Sequence, residues 1–128
     1  GGLLSSYHRT GGKEKGLLRL AVQLADNLMY AFNTTSKVAT GYIVVPRDPE
    51  LANTTQTEGK AVLAEVGTFI MEFGTLARDT GVRAYEASAM RFMQVARAMG
   101  AMDGTYCSEL DIIRVKCNNQ HRTFGGPS

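Results

Sequence analysis

The chain has 128 residues, of which 44% are hydrophobic and 20% charged, a composition typical of a globular domain. Fourteen basic and twelve acidic residues give a formal net charge of +2, and the basic residues form no block interleaved with aromatics, which excludes a nucleic-acid partner. These residues contain no run of 18 apolar residues and no charged, Met-initiated leader, so neither a transmembrane span nor a signal peptide is visible in them. Because the chain opens abruptly with two glycines before an apolar run, we expect an excerpt of a longer protein whose targeting sequence lies upstream.

Two helices are predicted in the first part of the chain. Residues 1–9 read as the C-terminal part of a helix that ends at Gly11 and Gly12, because glycine pairs suit left-handed termination. Residues 14–32 follow with apolar positions spaced three and four apart, and with a polar face opposite. The second helix is therefore expected to be an outer one, with one face covered and the other in water.

The stretch from residue 33 to 59 breaks this pattern with Pro46 and Pro49. Residues 42–45 (Tyr-Ile-Val-Val) favour a short strand inside an otherwise irregular loop. Connections longer than about 12 to 15 residues tend to carry function or cover an opening. We therefore expect this loop at the mouth of a cavity.

Residues 61–81 are the longest apolar stretch, and the pattern predicts a helix that is apolar over most of its circumference. One narrow polar stripe interrupts it, formed by Glu65, Thr68, Glu72, Thr75 and Asp79. Burying an isolated carboxylate costs several kcal/mol or more, so the stripe is expected to face an internal polar cavity. A narrow solvated face is the structural alternative.

Beyond Gly81, residues 82–99 predict another two-faced helix, with Arg83, Glu86, Arg91, Gln94 and Arg97 on its wet side. An outer helix, an inner helix with a polar stripe and a second outer helix are the order expected of concentric helical rings around a lumen. Residues 110–115 predict a strand or one arm of a hairpin.

Cysteine and histidine usage gives little evidence of a metal site. Cys107 and Cys117 flank the predicted strand, and their spacing is compatible with a bridge across a hairpin or with free thiols. His8 and His121 are expected at the surface, and no second pair of ligands completes a tetrahedral site. The sequons that begin at Asn33 and Asn53 are possible glycosylation sites, although such triplets are common by chance.

Three blocks in order resemble the class I α-mannosidases, glycoside hydrolase family 47. They are GGLLS at residues 1–5 followed by Tyr7, LAD at residues 24–26 followed by an AFNT turn, and AEVGT at residues 64–68 followed by Glu72 and Thr80. Each motif is short, but the three together span residues 1–81 with plausible spacing. A departure occurs at residues 37–40 (Lys-Val-Ala-Thr), where the family usually has a G-I-P-like stretch, so the substrate loop is expected to be remodelled.

The resemblance implies an all-α fold: about four helices of an (α/α)7 barrel, with a long loop and a short β-hairpin. Residues 1–128 then form part of one catalytic domain that is incomplete at both ends. Family members remove terminal α-1,2-linked mannose from high-mannose N-glycans with inversion and with bound calcium, in N-glycan processing or glycoprotein quality control. The implied compartment is the lumen of the endoplasmic reticulum or Golgi, or the outside of the cell, with membrane contact only through an upstream anchor.

Carried over residue by residue, the resemblance implies a substrate-binding role for Glu65, with weaker support for Thr68 and Glu72. The family's catalytic acid precedes the GGLLS run, while the candidate base and the calcium-binding threonine follow the position of Ser128. No catalytic residue or calcium ligand is therefore expected within the chain. Two alternatives remain open: a non-catalytic helical interaction module, and a mannosidase-like lectin of glycoprotein degradation.

Overall fold

The computed structural model describes residues 1–41, 43, 59–99 and 105–117, and in these residues the chain is mostly helical. The helices are α1 Gly2–Arg9, α2 Lys15–Leu28, a 3-10 turn at Met29–Phe32, α3 Leu63–Thr80 and α4 Arg83–Met99. Three short strands, β1 Lys60–Val62, β2 Glu109–Asp111 and β3 Lys116–Cys117, form an antiparallel sheet in the order β1-β2-β3. The prediction of four helices and a β-hairpin is confirmed, and β1 adds a third strand.

Glycine terminates helices at the predicted positions. Gly11, Gly12 and Gly81 have φ angles of 63°, 75° and 77°, in the left-handed region that residues with a Cβ rarely adopt. The Gly12 amide donates to the Tyr7 carbonyl at 3.1 Å, and the Gly81 amide donates to the Ala77 carbonyl at 2.8 Å. These bonds satisfy carbonyls at the ends of α1 and α3 that have no partner within the helix.

The start of α3 differs from the prediction. The helix begins at Leu63, because Val62 is extended with φ −88° and ψ 131°, and Ala61 pairs with Leu110 in the sheet. The Leu63 amide donates to the Ser108 carbonyl at 2.8 Å. The helical assignment of residues 61 and 62 was therefore wrong. A strand from a distant part of the chain satisfies their backbone, and local periodicity carries no information about that pairing.

The ends of two other predicted elements also shift. The helix predicted over residues 14–32 is α-helical only to Leu28 and then tightens into the 3-10 turn. The strand predicted over residues 110–115 ends at Asp111, whose Oδ1 accepts the amides of Ile113 at 3.1 Å and Arg114 at 2.8 Å. These bonds close a turn that Val115 completes with φ 54°. The predicted strand was too long because the Asp111 side chain forms a turn in residues whose sequence favours a strand.

The hairpin is covalently closed, since Cys107 and Cys117 form a disulfide with their Cα atoms 6.0 Å apart. The thiols that the sequence left undecided are thus paired. Within the predicted strand at residues 42–45 only Ile43 is described, and it lies in no strand; the sequon at Asn53 and the imidazole of His121 lie outside the described residues.

The core is built on α3 and α4. Neighbouring aromatic rings in the cluster Phe32, Phe69, Phe73 and Tyr85 have centroids between 5.6 and 5.9 Å apart, in tilted or edge-on arrangements. A Cβ at Gly67 would lie 3.2 Å from Cε1 of Phe92, so the glycine allows α4 to approach α3 closely. The glycine of the AEVGT motif therefore has a packing role.

A buried hydroxyl joins α4 to α2. Tyr85 is 5% exposed, and its hydroxyl donates to Asp26 Oδ1 at 2.6 Å. Burial, followed by the hydrogen bond to the Asp26 carboxylate and its negative charge, raises the pKa of Tyr85 to about 12. The aspartate of the LAD motif thus holds two helices together. None of the helices in the described ranges is both long and apolar enough to cross a membrane.

Candidate functional site

Three residues of the polar stripe lie on the open side of α3, whereas Thr75 and Asp79 are half-buried. Glu65, Thr68 and Glu72 are exposed, and beside them the Met71 side chain is 70% exposed. On the opposite side the buried residues of α3 are Val66, Phe73, Leu76 and Ala77. No element in the described ranges covers Met71, so this part of the chain alone does not enclose the cavity expected around the stripe.

Glu65 stands in the first turn of α3, where the positive end of the helix dipole stabilises a carboxylate. The loop that follows α2 approaches it, since a Cβ at Gly41 would lie 3.1 Å from Glu65 Oε2. Hydrogen bonds hold this loop; among them, the Thr34 hydroxyl donates to the Val38 carbonyl at 2.7 Å, and the Thr40 amide donates to the Ala31 carbonyl at 3.0 Å. Gly41 is thus a neighbour of the site that the sequence motifs do not identify.

Within the described part of the chain, Glu65 and Glu72 have no hydrogen bond or ion pair through their carboxylates. Thr68 is different, because its hydroxyl donates to the Glu65 carbonyl at 3.0 Å. Its proton is used within the helix, and its oxygen remains an acceptor. The carboxylates of Glu65 and Glu72 each have several acceptor sites, so they are the groups of the stripe best suited to bind a hydroxyl-rich ligand.

Glu72 borders a cleft of about 530 Å³ between α1, α2 and α3. The cleft is mainly apolar, with Leu24, Leu28, Phe69 and Phe73 among its lining residues, and Thr68 and Glu72 supply polar groups. Leu24 and Leu20, two apolar residues of α2, are each 52% exposed. The cleft therefore combines an apolar wall with one carboxylate at its edge.

Helix α1 runs parallel to the second half of α3. A Cβ at Gly1 would lie 3.3 Å from Glu72 Oε1, and His8 Nε2 lies 2.7 Å from Asp79 Oδ2. Glu65 lies seven residues before Glu72, or roughly 10 Å along the axis at 1.5 Å per residue. The N-terminal end of α1 therefore points along α3 in the direction of Glu65.

The described residues do not fit a metal centre, since no group of three or more His, Cys, Asp or Glu side chains among them converges. Three of the described acidic side chains lie in separate pairs: Asp79 with His8, Glu109 with Lys60, and Asp111 with Arg114. The chemistry that this surface offers is hydrogen bonding through Glu65, Thr68 and Glu72.

Comparison with known proteins extends over the whole chain. The sequence profile described as Glycosyl hydrolase family 47 matches residues 1–128. Mannosyl-oligosaccharide 1,2-alpha-mannosidase IB is 30% identical over 126 residues in both Mus musculus and Homo sapiens, covering 98% of this chain and 19% of each mannosidase. The endoplasmic reticulum mannosyl-oligosaccharide 1,2-alpha-mannosidase of Rattus norvegicus is 35% identical over 86 residues, covering 67% of this chain and 12% of that protein. The chain thus spans less than one-fifth of the length of these relatives.

Proposed function

Because the chain belongs to glycosyl hydrolase family 47, we propose that it is one part of a glycosidase that hydrolyses terminal α-1,2-linked mannose. Residues 1–128 are part of an (α/α)7 barrel in this proposal, and α1, α2, α3 and α4 contribute to its two helical rings. The alignment to 19% of the mannosidases IB supports a larger catalytic domain. The open side of α3 supports a lumen-facing position for the polar stripe, with the rest of the barrel enclosing it.

Glu65 carries the proposal. Its carboxylate is exposed, has no partner among the described residues, and lies at the end of α3 towards which α1 points. A carboxylate accepts hydrogen bonds from vicinal sugar hydroxyls, and these bonds strengthen where the surrounding lumen excludes water. Glu65 thus holds the mannose that is removed, and Thr68 and Glu72 continue the same polar surface along α3.

The reaction needs two carboxyl groups on opposite sides of the scissile bond, about 6.5 to 9.5 Å apart, so that one protonates the leaving oxygen while the other activates water. The resemblance assigns the acid to a position shortly before Gly1. The direction of α1 supports this assignment, since its N-terminal end points along α3 in the direction of Glu65. The contribution of this chain to the mechanism is to bind and orient the sugar.

Calcium, when bound, helps to hold the sugar in family members. The described residues do not form a site for it, so no step is assigned to this chain through the metal. Its ligands lie outside residues 1–128 in this proposal.

The proposed substrate is the high-mannose N-glycan of glycoproteins, and the proposed compartment is the endoplasmic reticulum or Golgi lumen, or the cell exterior. The Cys107–Cys117 disulfide supports an oxidising compartment. Membrane attachment, where it exists, is through a segment outside this chain. Both N-glycan processing and glycoprotein quality control are consistent with this chemistry.

Kinetics of Glu65→Gln on a mannose-rich glycan test the proposal in the enzyme that contains this sequence. A hydrogen bond to a charged group contributes about 1.5 to 3 kcal/mol, so we expect roughly a 10- to 150-fold loss of kcat/KM. The matched control is Glu86→Gln, the same change at an exposed position on α4, where activity should stay unchanged. A Glu65→Gln enzyme within about twofold of the parent at equal folded fraction would remove the substrate role.

The exposure of Glu65, Thr68 and Glu72 also favours a second function, a non-catalytic interaction module in which these residues are a solvated face. A lectin that binds mannose without cleaving it is an intermediate case. Glycan binding that depends on Glu65 but is followed by no turnover identifies the lectin. Absence of both binding and turnover, in a polypeptide that contains the flanking family motifs, identifies the interaction module.

A further inference from the structure

In the sequon at Asn33, the middle residue is buried and the two outer residues are at least partly exposed. Thr34 is 1% exposed, and its hydroxyl donates to the Val38 carbonyl at 2.7 Å. Its two neighbours differ from it: Asn33 is half-buried and Thr35 is exposed. The central residue therefore anchors the turn, while the acceptor asparagine and the threonine two positions later, which an N-glycosylation sequon requires, both reach the surface.

Asn33 lines an open cleft of about 460 Å³ between the 3-10 turn and α4. The other lining residues are Met29, Phe32, Lys37, Ala87, Ser88 and Arg91. Glu65, Thr68 and Glu72 do not border this cleft, and the residues that α4 contributes belong to its outward side. A group attached to Asn33 has room there and leaves the polar stripe of α3 open.

We propose that Asn33 carries an N-linked glycan whose first sugar lies in this cleft. The proposal rests on the secretory compartment of the proposed function. The co-reactant is an oligosaccharide linked to a lipid pyrophosphate: the Asn33 amide nitrogen forms a bond to the sugar's anomeric carbon, the bond from that carbon to the pyrophosphate oxygen breaks, and the amide proton leaves with the lipid pyrophosphate. No oxidant or reductant is needed.

The rim of the cleft presents donors to a sugar. Arg91 is held in place, because its Nε donates to the Ser36 carbonyl at 3.4 Å and its guanidinium donates to Gln94 Oε1 at 2.9 Å. Lys37 brings a second cation on a backbone with φ 61°. Hydroxyl and acetamido oxygens of the sugar accept from these groups, while Met29 and Phe32 provide apolar contact for its carbon–hydrogen face.

The first experiment translates the enzyme that contains this sequence, behind a cleavable signal peptide, in the presence of microsomes and analyses only protease-protected product. Trypsin releases residues 20–37, which contain Asn33 but not Asn53, and residues 48–60, which contain Asn53. We expect the first peptide to carry a glycan that an amidase removes, leaving aspartate at position 33. Translocated chains with unmodified Asn33 would overturn the proposal.

Substitutions separate the sequon from the fold. Asn33→Gln and Thr35→Ala should each abolish the modification of residues 20–37, while Thr35→Ser should retain it. The control is Asn27→Gln, which removes an exposed asparagine of the same tryptic peptide that is in no sequon. Loss of the glycan in the control, or its persistence in Thr35→Ala, would contradict the assignment.

Limited trypsin digestion tests the position in the cleft. Cleavage after Lys37 should be slower in the glycosylated chain than in the enzymatically deglycosylated one, and Arg91→Ala should reduce this difference. Equal cleavage rates would place the sugar away from the cleft. Because these readouts involve no turnover, an active enzyme with unmodified Asn33 would reject this inference alone, and a glycosylated but inactive enzyme would reject only the proposed function.

Discussion

The two sides of α3 have the same helical backbone but different neighbours. One side packs Val66, Phe73 and Leu76 against the rest of the core, where each is no more than 3% exposed. The other side leaves Glu65 and Glu72 open and without partners among the described residues. At the far end of the same stripe, Asp79 is paired with His8. Membership of a polar stripe therefore does not define a role; the contacts of each residue do.

The packed side should give the largest effect on stability. Phe73 is 3% exposed and contacts the rings of Phe32, Phe69 and Tyr85, so Phe73→Ala is expected to cost about 3 to 5 kcal/mol of unfolding free energy. Met71→Ala, on the open side, should change it by less than about 0.5 kcal/mol. Denaturant unfolding measures both. Similar losses in the two variants would mean that something covers the open side.

Removing the hydrogen bond between Tyr85 and Asp26 should have an intermediate effect on stability. Tyr85→Phe keeps the ring and removes the hydroxyl that donates to Asp26, for an expected loss of about 1.5 kcal/mol, the low end for a bond to a charged group because Asp26 is exposed. Thermal unfolding at neutral pH measures it. An unchanged Tm would show that water replaces this hydrogen bond without cost.

The same hydroxyl predicts an alkaline dependence. The pKa of Tyr85 rises from its ordinary value of 10.0 to about 12 on folding, because burial and Asp26 disfavour the phenolate. The stabilisation is therefore fully present below about pH 10 and is lost as pH rises towards 12. The difference in stability between parent and Tyr85→Phe should shrink across that window. A constant difference would exclude Tyr85 as the titrating group.

Substitutions in the polar stripe of α3 should have the smallest effect on stability. The imidazole of His8 is 45% exposed while the Asp79 side chain is 14% exposed; the contact is a hydrogen bond that becomes a salt bridge only when His8 is protonated, and such partly exposed pairs are worth about 0 to 1 kcal/mol. Asp79→Asn should lower stability by no more than that, and less in high salt. Glu72→Gln, on the same stripe but unpaired, should leave it unchanged. A larger loss for Glu72→Gln would assign the carboxylate a structural role.

Local sequence determined the helices, their glycine ends and the wet face of α4, because side-chain periodicity and left-handed glycine caps are properties of neighbouring residues. The stripe from Glu65 to Asp79 follows from the same periodicity. The sequence also identified the family, because residues 1–81 carry three of the family's motifs in order.

The tertiary structure decided what joins distant segments. Pairing of Ala61 with Leu110 moved the start of α3, the disulfide joined Cys107 to Cys117, and the loop brought Gly41 to Glu65. The parallel course of α1 and α3 gave Asp79 a partner in His8 and left Glu65 open. Periodicity shows which residues share a face but not which other segment covers that face, because that depends on contacts between residues far apart in the chain.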